Sequence, residues 1–211
     1  MADKKPESEM EEVEPSIIMF PQEEQPKIMR TIGLIGDVNE EKAAEVIHGL
    51  LALKQFGKIE DETSKAKKQK KDKYEPIEFY LSTNGGNASD MFAIYDVMRL
   101  VRQDCEISTV GVGKVMSAGV LLLAAGTKGK RKIGKNCRVM IHSVLAGSEG
   151  PLHNLENEME EIRWTQERYI DSIIRESKLN QTTMKKLLQK HVNIYLSAEE
   201  AVKYGLADEV I

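Results

Sequence analysis

The 211-residue chain has little of what an extracellular, membrane-spanning or nucleic-acid-binding design needs. Its two cysteines, Cys105 and Cys137, are too few for a disulfide framework, and no Cys/His spacing suits zinc. That usage leads us to expect a reduced, intracellular setting, cytoplasmic or else organellar or, for a viral protein, host cytoplasm. No apolar run approaches the roughly 20 residues that span a bilayer. The first residues are acidic and lack the basic-then-apolar order of a secretory signal. Positive charge is not in excess: 30 Lys and Arg stand against 34 Asp and Glu, a formal net charge of −4. No basic footprint for nucleic acid follows. There is no GxxxxGK[ST] phosphate loop, so ATP hydrolysis is not expected of this chain. Internal repeats are absent as well.

What is present is an ordinary globular balance, 41% apolar and 30% charged. A chain of this length buries roughly 70% of its unfolded surface. Residues 1–27 are set apart. MADKKPESEMEEVEPS is polar and predicts a flexible tail, and the short apolar IIMF after it is followed by polar PQEEQPK. One globular domain, 28–211, is expected to follow.

Within it, RTIGLIGDV reads as a buried strand and turn. Asp37-Val38-Asn39-Glu40 has capping-box spacing, opening a helix to Gln55. Residues 57–75, GKIEDETSKAKKQKKDKYE, interrupt the pattern as a charged insertion, read as a solvated excursion in preference to a basic docking site. IEFYLS is a strand, STNGG a sharp turn, and Met91, Ile94, Tyr95, Met98 and Val101 mark one face of a helix. EISTVGVG (106–113) is a strand, followed by a short helix from Ser117 to Ala125. KRKIG and CRVMIH are short strands. A long helix spans 152–177, with Leu155, Met159, Ile162, Tyr169 and Ile173 at helical spacing, and a second runs to Lys190. Ser197-Ala198-Glu199-Glu200 is another capping box, with Gly205 as the stop and LADEVI as a last strand. Alternating strands and helices predict an α/β fold with a largely parallel sheet.

Such sheets carry chemistry at the carboxyl ends of strands. Two glycine turns belong there: Asn84-Gly85-Gly86, and Gly111-Val112-Gly113 leading to Ser117. A serine at a helix start lies near unpaired N–H donors, a suitable setting for an oxyanion. Its hydroxyl still needs a base. Of four histidines, His48 reads as structural or exposed, and His153 and His191 as solvated. His142, at the end of CRVMI, is the candidate. On spacing alone, Ser117 is either a nucleophile or a small residue where two elements pack.

At these residues the chain resembles the proteolytic subunit of the Clp protease (ClpP). STNGGNASDMFAIYDVM is similar to that family's NSPGG turn and helix. KVMSAGVLLLAAGTKGKR is similar to its ASMG nucleophile segment with LLxAGxxGKR. NCRVMIHS is similar to NxxxMIHQP, and YLSAEEAVKYGLADEVI to FLSAxEAxEYGLIDxVL. The four blocks occur in order from Arg30 to Ile211. The resemblance implies a ClpP/crotonase-like fold of stacked ββα units with a protruding helical handle, and a serine peptidase. It puts Ser117 on the nucleophile, His142 on the general base, and Gly86 and Ala118 on the oxyanion-hole backbone donors. It also implies a homo-oligomer of two stacked heptameric rings joined through handles near Ser148–Gly150 and the long helix. An AAA+ unfoldase partner feeds such a barrel unfolded polypeptides. No cofactor or metal, nucleic acid or membrane is implied.

The chain departs from the family at the third triad position, where Asn193 in HVNIYLS stands in place of aspartate. An amide oxygen can accept the imidazole proton but cannot match an anion in stabilising the imidazolium. Either the amide turns its oxygen to the ring, or a nearby carboxylate takes over. The prolines of NSPGG and MIHQP are also missing. Two other readings compete: an inactive ring subunit, which Asn193 favours, and a crotonase-fold acyl-CoA enzyme, which needs no MIH segment.

Overall fold

The computed structural model describes residues 29–59, 73–188 and 193–211. The expected tail, most of the charged insertion and His191 lie outside the described residues.

Strand β1 (Thr31–Ile35) leads to helix α1 (Glu40–Phe56), which buries Ala43, Val46 and Leu50. The expected box opened by Asp37 does not form; the cap is Asn39, whose side chain accepts the Lys42 N–H at 2.9 Å. A long-range tie explains the difference. Val38 donates to Gly85 O at 2.8 Å and accepts from Asn87 N at 2.9 Å, which keeps residue 38 extended until Asn39. Asp37 accepts instead from the Asn84 side chain. At the base of the insertion, β2 (Lys58–Ile59) and β3 (Lys73–Tyr74) form a small antiparallel ladder.

Strand β4 (Ile77–Thr83) buries Ile77, Phe79, Leu81 and Thr83 completely. It pairs in parallel with β1 on one side and β5 (Ile107–Met116) on the other. Helix α2 (Ala88–Val101) is capped by the Asn87 side chain and buries all five expected face residues. Strand β5 runs three residues past its expected end at Gly113. The ladder with β4 slips there, from Leu81 opposite Gly111 to Thr83 opposite Val115. Gly113 takes φ +67°, which suits glycine in such a bulge. The bulge redirects the strand: its first part pairs with β6 (Lys132–Ile133) and its last part with β7 (Arg138–Ile141).

Beyond β5, helix α3 (Ala118–Ala124) is buried on every side. Helix α4 (Leu152–Glu176) is exposed along most of its first half and buried near its end, at Tyr169, Ile170 and Ile173. Next come α5 (Gln181–Leu188), β8 (Ile194–Leu196), α6 (Ala198–Lys203) with its capping box at Ser197 and Glu200, and β9 (Glu209–Val210). Gly205 has φ +72°, and a Cβ there would stand 2.8 Å from Lys178 N, so only glycine suits this helix exit. The main sheet runs β1-β4-β5-β6-β9, with β7 paired to β5 and β8. Every pairing in it is parallel except β7 with β8.

Candidate active site

Ser117 sits at the joint between β5 and α3, as in strand–serine–helix nucleophile turns. Its backbone has φ 53° and ψ −118°, and it is the non-glycine residue with positive φ among the described residues. Such a conformation costs about 1–3 kcal/mol and persists only where its surroundings dictate it. They do so here. Ser117 N donates to Met140 O at 2.8 Å, and Ser117 O accepts from Val120 N and from the Tyr169 hydroxyl, both at 3.0 Å. Gly85, at φ +97°, closes the other side. A Cβ on it would lie 2.6 Å from Ser117 Cβ and 3.0 Å from Ala118 N.

Two backbone donors stay free beside this serine. Ala118 is the first residue of α3, so its N–H has no carbonyl one turn back. Gly86 bridges Val38 through its neighbours, since Gly85 O and Asn87 N make the bonds. Strand geometry then turns the N–H of Gly86 away from Val38. Neither N–H makes a hydrogen bond among the described residues.

His142 follows directly on β7 and is half-buried. Its Nδ1 lies 2.5 Å from Ser143 O. A carbonyl oxygen can only accept, so Nδ1 carries a proton; in the neutral ring this leaves the lone pair on Nε2, the tautomer a general base needs. Ser117 Oγ and His142 make no hydrogen bond with each other among the described residues. The two residues line one cavity of about 410 Å³, together with Gly86 and Ala118. Substrate binding commonly tightens catalytic hydrogen bonds that are loose in the free protein.

Asn193 does not line that cavity. It stands just before β8, whose ladder pairs Ile194 with Ile141 and Tyr195 with Met140. Carried one residue further, the same register sets Asn193 opposite His142. No hydrogen bond joins them among the described residues, and Asn193 is exposed. His48 and His153 are exposed on α1 and α4, away from the cavity. No group of three or more His, Cys, Asp or Glu among the described residues could hold a metal ion. No described helix is long and apolar enough to cross a membrane.

Three contributors were not marked as site residues by the sequence. Gly85 was read only as part of a turn. Tyr169 was read as one more apolar residue of the long helix. Gln166, whose Oε1 accepts the Val144 N–H at 2.6 Å beside the base, carried no signal. Tyr169 lines the cavity and is only 5% exposed; burial raises its phenol pKa well above the ordinary tyrosine value, so it remains a donor.

A serine held in strained backbone, an imidazole whose Nδ1 meets a carbonyl and two free amides around one cavity suit acyl transfer. The match to known proteins points the same way. The family model described as Clp protease matches residues 25–211, nearly all of the chain. The α/β architecture with its mostly parallel sheet is consistent with the ClpP fold. The chain therefore belongs to the Clp protease family.

Proposed function

We propose that this chain is a Clp-type serine endopeptidase subunit that cleaves unfolded polypeptides. The observation that carries the reading is the strained Ser117, with two free N–H groups beside it and His142 on the same cavity. In the mechanism, His142 Nε2 takes the Ser117 proton as Oγ attacks the peptide carbonyl carbon. The carbonyl electrons move to oxygen, and the Gly86 and Ala118 N–H groups hold the resulting oxyanion. The intermediate collapses, the C–N bond breaks, and His142 gives its proton to the leaving amine. Water, deprotonated by the same imidazole, then attacks the acyl ester and frees Ser117. Asn193, opposite His142, takes the third position and backs the imidazole with its amide oxygen when the ring is charged. In the resting ring the Nδ1 proton goes to Ser143 O.

The same reading makes the chain a ring-forming homo-oligomer fed by an ATP-driven AAA+ unfoldase. Leu152, Met159 and Trp164 are large apolar residues exposed on the first half of α4, and they suit a surface covered by another subunit.

A fluorophosphonate probe with a fluorogenic peptide assay tests the proposal. Covalent labelling at Ser117 and peptide cleavage are expected, both lost in Ser117→Ala; removing such a nucleophile costs about 10⁶ in kcat in a comparable serine protease. The second reading, an inactive ring subunit, draws on Asn193 and on the absence of a Ser117–His142 hydrogen bond. Assembled protein that takes up no label would favour it and sink the first.

A further inference from the structure

Ser117 O and the Ala118 N–H belong to one peptide group. No described peptide bond is cis, so this carbonyl and N–H point in opposite directions. Whatever fixes the carbonyl therefore aims the N–H. Two donors fix it. Val120 N supplies a local bond within the first turn of α3, a helix of seven residues. The Tyr169 hydroxyl supplies the other from α4, 52 residues along the chain, at 3.0 Å. Three residues earlier on α4, and so on the same face, Gln166 holds Val144, two residues beyond His142. One stretch of helix thus touches the backbone of both the serine turn and the base loop.

We propose that Tyr169 is a positioning residue of this peptidase, its hydroxyl orienting the 117–118 peptide so that the Ala118 N–H meets the oxyanion. The inference rests on the function proposed above and adds to it. Tyr169 touches no reacting atom; it acts through the peptide it holds. The bond matters because an oxyanion donor works only when it is aimed at the developing charge before the reaction starts. A local i→i+3 bond in a first turn is geometrically poorer than an α-helical one, so it alone leaves the plane free to tilt.

Tyr169→Phe keeps the ring and removes the one donor. Ser117 O retains Val120, so no carbonyl is orphaned and the variant is expected to fold. Losing an oxyanion donor outright costs about 10²–10³ in kcat; a misaimed donor should cost less, about tenfold, with KM within about twofold. A peptide boronate forms a tetrahedral anionic adduct with the serine, so its affinity should fall by the same factor. Affinity for an uncleaved product peptide should stay unchanged. Both are measured below the melting temperatures of both proteins, where a purely structural role would shift neither ratio. Wild-type-like kcat and boronate affinity in Tyr169→Phe would overturn the inference while leaving a fluorophosphonate-labelled wild type as a peptidase. A wild type that neither labels nor cleaves would overturn both.

Discussion

On one wall of the cavity, Ser117 is tied through its N–H to β7 and through its carbonyl to α3 and α4, with Gly85 pressed against its Cβ. On the other wall, His142 leaves the β7–β8 ladder and enters residues 143–150. That segment has no regular structure, and it is exposed from Leu145 onward, Leu145 itself at 82%. Under the function proposed above, the difference follows from what each wall must do. A strained serine and two oxyanion amides must be in place before the reaction, because reorienting them during it would consume the advantage they give. An imidazole must pass a proton from one atom to another, and it tolerates some freedom as long as its tautomer is kept. The nucleophile wall is therefore built from buried, redundant contacts, whereas the base wall rests on few: the Ser143 carbonyl, the Gln166 bond to Val144 and the last pairs of the β7–β8 ladder.

The sharpest way to break this comparison is to attack the redundant wall at the point with no slack. Gly85→Ala puts a methyl at φ +97°, 2.6 Å from Ser117 Cβ and against the Ala118 amide. Peptide hydrolysis should fall by at least about 10³, the scale of losing an oxyanion donor. Denaturant unfolding should show a loss of about 3 kcal/mol from backbone strain and the clash. Near-normal activity would mean that the close approach of the two turns is not what holds the serine.

A change remote from both walls gives the scale for pure stability. Asp208 accepts from the Arg131 side chain at 2.6 and 2.8 Å and from the N–H groups of Arg131 and Gly129. The Arg131 hydrogen bonds, together with its charge and the backbone donors, outweigh burial and hold the Asp208 carboxyl down to about 2. The unfolded chain thus binds this proton at higher pH than the folded one. The stabilisation is complete above about pH 4 and is lost as pH falls through about 2. Asp208→Asn should cost about 2 kcal/mol at pH 7, with the gap to wild type closing between about pH 4 and pH 2 in denaturant titrations. The remaining folded enzyme should keep its kcat. A gap independent of pH would remove the electrostatic explanation.

On the base wall, Gln166→Ala frees the Val144 N–H and with it the loop that starts at His142. The expected result is about a tenfold loss of kcat/KM with little change in melting temperature, as for a base displaced rather than removed. Equal losses from Gln166→Ala and Gly85→Ala would erase the contrast between the walls.

Much of this was legible in the sequence because it repeats. The face of α2 from Met91 to Val101, the alternation of β4 and the box at Ser197 are local patterns, and local patterns decide local structure. What was missed depended on distant partners. The cap at Asn39 is set by Val38 bonding a turn 47 residues away from it in β4–α2, which no local spacing records. The extension of β5 beyond Gly113 depends on β7 offering a new partner after the bulge. Within the site, the residues that motifs had singled out on the nucleophile turn, the glycine turn and the β7 end do share one cavity. The α4 residues that support them were invisible, because a tyrosine at helical spacing looks like core until its hydroxyl finds a carbonyl.

The smallest and most informative change lies opposite the base. Asn193 stands one step past the last pair of the β7–β8 ladder, Ile141 with Ile194, and makes no hydrogen bond to His142 among the described residues, while the imidazole proton is already taken by Ser143 O. Removing the amide should therefore matter little: Asn193→Ala is expected to lower kcat about threefold, the size of one modest hydrogen bond made only by the charged ring. Asn193→Asp should leave the rate equal to or above that of wild type, since an anion at this position stabilises the imidazolium as it forms. A large loss in Asn193→Asp would mean that the pocket at the ladder end is shaped for an amide, and that the base wall is more tightly specified than its exposure suggests.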